Sequence, residues 1–355
     1  MRAPASRRRP PAPKPAEPHW KVRAAPLRSM PTLLQELGLD AAAVMGRFGF
    51  AVDVFDEPEA WVPFSTVTHL LGHIARMTGR DDLGLLLAER TDAQALGPVT
   101  QRMLLAPTVG AALQVLRRDF HLHDRGAVPY LSDVGRGRVA LGYALQWHDG
   151  PGTNVVYDVS MGIAMKLLQA LCGSELRIDA VTLPHAAPRD TRPFRRHFGV
   201  PVSFDAAHAQ IVFDARCLAR PIAGAQEAVR AHLHSAARAD DGGAPRSTGE
   251  RVRSVAHVLL MTGGLSEQRI AAELDMHVRT LRRRLAADGL QAQALICDVR
   301  DQFACQLLAD TRLPLADIAL AAQYAEVASF ARAFRRRVGL SPGRWRALNR
   351  PADRE

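Results

Sequence analysis

The residues with the most evident chemistry are arginines that recur at helical spacing near the C-terminal end of the chain. Arg279, Arg282 and Arg283 stand at i, i+3 and i+4 within "MHVRTLRRRL", and a second group follows within "SFARAFRRRVGL". The planar guanidinium of arginine bridges the O6 and N7 atoms of guanine and also binds phosphate oxygens. Two such groups, each on one side of a helix, favour contact with nucleic acid.

Two similar segments supply the helices that must hold these arginines. Residues 265–285, "LSEQRIAAELDMHVRTLRRRL", and residues 313–334, "LPLADIALAAQYAEVASFARAF", each predict a short helix, a tight turn and a second helix. In each second helix three apolar residues recur at i, i+3 and i+7, which predicts a buried stripe. The stripes are Val278, Leu281 and Leu285, then Val327, Phe330 and Phe334.

The opposite faces of these second helices are then free to enter the major groove, as in a helix-turn-helix. For Arg335, Arg336 and Arg337, a face that merely contacts solvent is an open alternative. The candidate DNA-binding residues are Arg279, Thr280, Arg282, Arg283, Ala328, Ala331, Arg332, Arg335 and Arg336. We expect Arg284 to contact phosphate, solvent or an acid, and Arg344 and Arg346 to support the terminal helix.

The C-terminal segment resembles the DNA-binding domain of a known family. Residues 250–347 are similar to the double helix-turn-helix domain of the AraC family of transcription regulators. The similarity lies in "LPLADIALAAQY" and "SFARAFRRRVGLSPGRWR", where the closing G-x-S-P-x-x-[YWF]-R of the family stands as "GLSPGRWR". Residues 31–222 resemble the ligand-binding domain of the AraC subfamily that includes ornithine-utilisation regulators, through "PTLLQELGLD" and "RPFRRHFGVPVSFDAAHAQIVFDARCLARPI".

Four residues, at three places in the domain, depart from the family pattern. Gln323-Tyr324 stands where Gly-Phe is usual in the second turn, although glutamine is less favourable than glycine in a left-handed conformation. His277 replaces the common serine before the first recognition helix and is expected to be a weaker N-cap. Ala331 stands where serine or threonine is common. These changes concern affinity and half-site sequence rather than the fold.

The rest of the chain predicts two domains and flanking segments. An α+β N-terminal regulatory domain, residues 31–234, precedes an all-α C-terminal domain, residues 250–347, with two helix-turn-helix units. The small, polar segment 235–249 is the expected linker, and 348–355 a tail. Residues 1–30 hold eight Lys/Arg and one acid and are rich in proline, which predicts a disordered tail. Met30, just before the first structured stretch, is a candidate natural start.

Several other functions find little support. The four cysteines, Cys172, Cys217, Cys297 and Cys305, lack C-x-x-C spacing, so neither a structural zinc site nor a disulfide scaffold is expected. "HLHD" at 121–124 places two histidines on one side of an expected strand without a visible third metal ligand, so we expect no metal. No phosphate loop, nucleophile elbow or dinucleotide fingerprint occurs, and we expect neither a cofactor nor an enzyme. No uninterrupted apolar run of about 18 residues predicts a membrane span.

The resemblance implies a bacterial, cytoplasmic transcription regulator. Its expected partners are double-stranded promoter or operator DNA, RNA polymerase, an unknown small-molecule effector and, as a further possibility, a second copy of the chain. Two alternatives stay open: an enzyme or DNA-repair protein with an appended helix-turn-helix and a reactive cysteine, and an architectural protein that binds DNA without sequence preference. The net charges of +7 for residues 1–30, −3 for 31–245 and +6 for 246–355 agree with an anionic partner near either end.

Overall fold

The computed structural model of the chain describes residues 20–57, 59–146, 150–222 and 247–349. Residues 20–222 combine helices with two sheets, and residues 247–349 are helical. The N-terminal helices are α1 (Met30–Glu36), α2 (Ala41–Gly46), α3 (Phe64–Thr78), α4 (Leu83–Arg90), α5 (Pro98–Leu104), α6 (Val109–Asp119), α7 (Thr153–Cys172) and α8 (Arg192–Phe198). The strands are β1 (Lys21–Arg23), β2 (Trp61–Pro63), β3 (Ala127–Gly135), β4 (Arg138–Leu145), β5 (Ile178–Thr182), β6 (Val202–Ser203) and β7 (Ala209–Asp214).

The larger sheet has five strands in the order β3-β4-β7-β5-β6 and is antiparallel except for the pair β5–β6. Its β3–β4 hairpin is the one that the glycines of "VGRGRV" predict, because Gly135 and Gly137 both adopt positive φ. Alternate residues of the hairpin point to opposite faces. Leu141 and Tyr143 join the N-terminal core, whereas Tyr130 joins a small cluster on the other face.

Helix α7 is the central helix of the N-terminal domain. It packs against α3, α4, β4 and β7. An 18-residue stretch within Thr153–Glu175 has a mean hydropathy of 1.4, which would suit a membrane span. However, 67% of this stretch is buried inside the protein. Such burial is typical of the core helix of a globular domain.

The C-terminal domain has its own apolar core and seven helices within residues 247–349. They are α9 (Thr248–Thr262), α10 (Glu267–Glu273), α11 (Val278–Ala287), α12 (Ala292–Asp310), α13 (Leu315–Ala321), α14 (Val327–Val338) and α15 (Pro342–Asn349). Helix α9 begins with a capping box, in which Ser247 and Glu250 each bond the other's backbone N–H. The α+β class of the first domain and the double helix-turn-helix of the second are as predicted.

The two domains contact each other through α9 and α12. Val258 and Met261 on α9 pack against the outer face of the β3–β4 hairpin, around Tyr130. On α12, the side chain of Gln306 donates a hydrogen bond of 2.6 Å to the Tyr157 hydroxyl of α7. Phe303 stacks on His208 with ring centroids 6.1 Å apart. The N-terminal domain therefore touches the helix that joins the two helix-turn-helix units.

Two sequence predictions need correction. The predicted disordered tail, residues 1–30, ends too late: Trp20 and Leu27 are buried, and β1 pairs with β2, because these residues complete the N-terminal core. Residues 1–19 lie outside the described part, as does most of the predicted linker, of which only residues 247–249 are described. The segment 121–124 is not a strand, because a 3-10 turn spans Phe120–Leu122 and β3 begins at Ala127.

Candidate nucleic-acid interface

The first helix-turn-helix consists of α10 and α11. Ser266 caps α10 by accepting a hydrogen bond of 3.3 Å from the Arg269 N–H. The turn contains Asp275 in the left-handed conformation, with φ of 53°. Leu281 and Leu285 of α11 are fully buried, as predicted, while Val278 is half-buried. His277 caps α11 after all, because its Nδ1 accepts a hydrogen bond of 3.2 Å from the Arg279 N–H.

The outer face of α11 carries exposed arginines. Arg279, Arg282 and Arg283 are all exposed, and Thr280 beside them is half-buried. Arg282 is held by a neighbour, because its Nε and Nη2 donate to the two carboxylate oxygens of Glu267 at 2.8 and 2.7 Å. These bonds lower the pKa of Glu267, so the carboxylate stays ionised and holds the guanidinium of Arg282 through two hydrogen bonds.

The second helix-turn-helix consists of α13 and α14. Phe330 and Phe334 of α14 are buried as predicted and lie at a centroid distance of 5.6 Å from each other. The prediction that Val327 belongs to this buried stripe is wrong: Val327 is 40% exposed and is the first residue of α14, where one side of the residue has no preceding helical turn to cover it.

The outer face of α14 is less uniform in character than that of α11. Ala328 is exposed and Ala331 half-buried. Arg332 is exposed and donates a hydrogen bond of 3.1 Å to the Ser329 hydroxyl, while Arg335 and Arg336 are also exposed. The structure thus brings the nine candidate residues onto two helix faces; their contact with DNA stays a prediction.

Two arginines near this surface have structural partners instead. Arg337 forms ion pairs with Asp298 and Asp301 of α12, which fixes the end of α14 against the connecting helix. Arg346 donates to the Leu313 carbonyl, so it supports the terminal helix as predicted. On the same helix, Trp345 packs edge-on against Phe334 at 6.3 Å.

Gln323, the residue that departs from the family's glycine, joins the two units. It adopts the left-handed conformation, with φ of 57°. Its Oε1 accepts a hydrogen bond of 2.9 Å from the Leu265 N–H, which lies just before α10. Its Nε2 donates to the carbonyls of Leu259 and Leu260 at 2.7 and 2.9 Å. These carbonyls belong to the last turn of α9, where helix hydrogen-bond partners run out. Gln323 of the second unit therefore caps the helix that precedes the first unit.

Helix α12 sets the distance between the two units. It runs for 19 residues, from Ala292 to Asp310, and therefore spans about 28 Å. Its buried residues Val299, Phe303 and Leu307 contribute to the apolar core shared by both units. The separation of the two reading helices is therefore fixed by a packed element rather than by a loop.

Sequence reasoning missed two sets of side-chain contacts, those of Glu267 and those of Gln323. Glu267 lies 15 positions before Arg282, so no local spacing signals the pair. The left-handed conformation at Gln323 was foreseen from the family's glycine, but its three bonds lie about 60 residues away in sequence and leave no periodic trace. Among the described residues, no group of three or more His, Cys, Asp or Glu is arranged to hold a metal ion.

Comparison with known proteins agrees with this architecture. A family model described as the N-terminal arabinose-binding domain of AraC transcription regulators matches residues 38–222, and a helix-turn-helix domain model matches residues 270–348. The HTH-type transcriptional regulator VirS of Mycobacterium tuberculosis is 30% identical over 331 residues, which are 92% of this chain and 96% of VirS.

Two further relatives come from Pseudomonas aeruginosa. The ornithine utilization regulator is 25% identical over 316 residues, covering 88% of this chain and 93% of its own length. The crystal structure of the transcriptional regulator CdpR is 26% identical and covers 78% of this chain and 90% of that chain, with a TM-score of 0.39, too low to compare the two domain arrangements. From the family match over residues 38–222 and the full-length similarity to VirS, the chain belongs to the AraC family of transcription regulators.

Proposed function

We propose that this AraC-type regulator reads double-stranded DNA with α11 and α14 as two unequal reading helices, under the control of a small molecule bound by the N-terminal domain. The observation that carries the proposal is the pair of exposed faces, on α11 and α14, each backed by buried leucines or phenylalanines and tied together by α12. Anchored helices of this kind present side chains to base edges in the major groove.

The length of α12 supports binding to two successive groove segments on one side of the duplex. Its span of about 28 Å approaches the roughly 34 Å between major-groove faces one helical turn apart. Each chain should therefore cover two groove segments about one turn apart.

The two segments should be read with different stringency. Arg279, Arg282 and Arg283 offer up to three guanine contacts, each worth about 1–3 kcal/mol of discrimination. Ala328 and Ala331 offer methyl contacts that suit thymine. Arg332 is then the strong reader of the second segment, whose sequence should be looser and rich in A·T pairs.

The cysteines of the N-terminal domain favour a regulatory role for that domain over a catalytic one. A reactive cysteine, which a repair enzyme would need, is disfavoured because Cys172 and Cys217 are buried. Burial, followed by the neighbouring Cys217 thiol, raises the pKa of Cys172 to about 12, so the nucleophilic thiolate is scarce at neutral pH. We expect the protein to act in the bacterial cytoplasm, to contact RNA polymerase at its promoters and to form a homodimer.

Binding of the full chain to DNA at several salt concentrations tests the proposal. Five to eight neutralised phosphates predict a slope of roughly −4 to −7 for log K against log salt. Competition with unrelated DNA then separates a regulator from an architectural protein. A slope near zero would refute groove binding, and equal competition by any DNA would leave the architectural alternative.

A further inference from the structure

The N-terminal domain encloses a cavity of about 100 Å³ between β1, α3, the β3–β4 hairpin and α7. Most of its wall is apolar and includes Leu71, Leu116, Leu141, Val156 and Ile163. Its size approaches that of the roughly 150 Å³ engineered apolar cavity that binds benzene. The cavity therefore suits a compact apolar group of up to about six heavy atoms, the size of benzene.

A polar edge interrupts this apolar wall, where Arg23, His123 and Asp124 line the cavity. The Arg23 side chain is 5% exposed and pairs through Nη2 with Glu59. Within the described part of the chain, Arg23 Nε and His123 Nδ1 are buried and have no hydrogen-bond partner. Burial lowers the pKa of His123 to about 3, so its ring is neutral. A neutral imidazole can carry its proton on Nδ1, so both atoms can donate a hydrogen bond. Buried polar atoms without partners are costly, and a ligand that accepts hydrogen bonds from them would be stabilised.

The third polar group, Asp124, carries little negative charge near neutral pH, because burial raises the pKa of its carboxyl group to about 7. Asp124 accepts hydrogen bonds from the Gly126 N–H at 2.6 Å and from the Tyr143 hydroxyl at 3.1 Å. A carboxyl that has lost much of its charge attracts an amine only weakly, whereas an acceptor group finds the Nε of Arg23 without a partner. The cavity thus favours an anionic head over a cationic one.

We propose that this cavity binds a small monocarboxylate with a compact apolar body, its head against Arg23 and His123 and its body among the leucines and valines. This inference rests on the proposed function, because it identifies the chemical class of the effector. An apolar enclosure with a small number of polar groups is the usual form of a small-molecule site. An arginine supplies the charge-assisted hydrogen bonds that a carboxylate prefers.

A series of contacts leads from the polar edge of the cavity to the DNA-binding domain. Tyr143, which binds Asp124, packs edge-on against Tyr157 with ring centroids 6.2 Å apart. The Tyr157 hydroxyl accepts the 2.6 Å hydrogen bond from Gln306 on α12. A ligand that moves Asp124 or Tyr143 thereby shifts the support of the helix that spaces the two reading heads.

The first experiment measures ligand binding without DNA. Benzoate and hexanoate serve as probes, with benzamide and hexylamine as matched neutral and cationic compounds, and the readout is the melting temperature of the full chain and calorimetric affinity. The two carboxylates should bind and raise the melting temperature. Equal or tighter binding of the amide or amine, or no binding of either carboxylate, would overturn the proposal.

Two variants locate the site. Arg23→Gln should weaken carboxylate binding at least tenfold, whereas Arg90→Gln, which breaks a comparable arginine–glutamate pair with Glu36 outside the cavity, should leave it unchanged. Ala164→Leu fills the cavity from α7 without altering a charge and should also abolish carboxylate binding. This second variant tests the site even if Arg23→Gln folds poorly. Unchanged affinity in folded Arg23→Gln or in Ala164→Leu contradicts the assignment.

A last variant separates this inference from the proposed function. Tyr157→Phe removes the hydroxyl that binds Gln306 and leaves the cavity wall intact. It should bind benzoate like the unaltered protein, yet lose most of the benzoate-dependent change in DNA affinity. If the protein binds DNA but no carboxylate changes its DNA affinity, the inference about the cavity is wrong and the proposed function stands. If it binds carboxylates but not DNA, the proposed function is wrong and the inference about the cavity stands. A benzoate response that is undiminished in Tyr157→Phe would refute the route.

Discussion

Gln323 provides the sharpest test of how the two helix-turn-helix units are held together. The residue has two opposed effects: a left-handed backbone, which destabilises the fold, and three hydrogen bonds to the end of α9 and the start of α10, which stabilise it. Gln323→Ala keeps the unfavourable backbone and removes all three bonds. Gln323→Gly removes the same bonds but relieves the backbone.

The magnitudes follow from these two contributions. A buried or half-buried hydrogen bond contributes a net of about 0.5–1.5 kcal/mol, so the alanine variant should lose about 2–4 kcal/mol of unfolding free energy. A left-handed conformation costs a non-glycine residue roughly 1–2 kcal/mol. The glycine variant should therefore be about 1 kcal/mol more stable than the alanine variant, yet less stable than the unaltered protein.

Asp275 is the matched control, because it occupies the same left-handed turn position in the first unit, with φ of 53°. The side chain of Asp275 makes no hydrogen bond to another described residue. Asp275→Gly should therefore leave the free energy of unfolding unchanged or raise it by up to about 1 kcal/mol. Urea unfolding of the full chain, followed by far-UV circular dichroism, measures the free energy for all three variants. If Gln323→Gly is as stable as the unaltered protein, the interunit bonds do not hold the two units together.

Three further predictions follow from individual contacts. Glu267→Gln should free Arg282 from its ion pair, so DNA affinity at low salt should rise and the salt slope should steepen by about 1, as measured by fluorescence anisotropy. An unchanged slope would mean that Glu267 does not keep Arg282 from DNA in the unaltered protein. A chain that starts at Met30 lacks Trp20 and β1, and its free energy of unfolding in urea should fall by several kcal/mol, because each buried large side chain contributes about 1.5–3 kcal/mol. A chain that lacks only residues 1–19 is the control. If the two shortened chains are equally stable, β1 does not stabilise the domain. Burial lowers the pKa of His257 from 6.5 to about 4, so the unfolded chain binds the proton first and the stability of the fold should fall as the pH drops from 6.5 towards 4. In His257→Phe the melting temperature should fall less over this pH range. If it falls equally in both proteins, the buried ring of His257 is not neutral.

Local periodicity was sufficient for the elements that carry the candidate site. Leu281, Leu285, Phe330 and Phe334 are buried as their spacing predicts, because a helix turns the same face inward every three to four residues. Val327 shows the limit of that argument: periodicity assigns a face but cannot say at which residue the helix begins.

Long-range contacts escaped the sequence for a physical reason. The pair Arg282–Glu267, the bonds of Gln323 and the contact between Tyr157 and Gln306 depend on how packed helices meet, and composition or spacing does not encode that geometry. The cavity escaped for the same reason, since its wall is assembled from strands, helices and loops that lie far apart in the chain. The early strand β1 was missed because the prolines and arginines around it favour disorder locally, and only the contacts of Trp20 and Val22 offset that tendency.

Selection of binding sites from random DNA tests the central claim most directly, with the unaltered chain, Arg283→Ala and Arg336→Ala compared side by side. The unaltered protein should select two segments about one helical turn apart, one stringent and containing guanine, the other looser and tolerant of thymine. Arg283→Ala should relax the stringent segment alone, whereas Arg336→Ala should weaken binding to all sequences alike. Two equally stringent segments, or an intact preference in Arg283→Ala, would contradict the assignment of the reading faces.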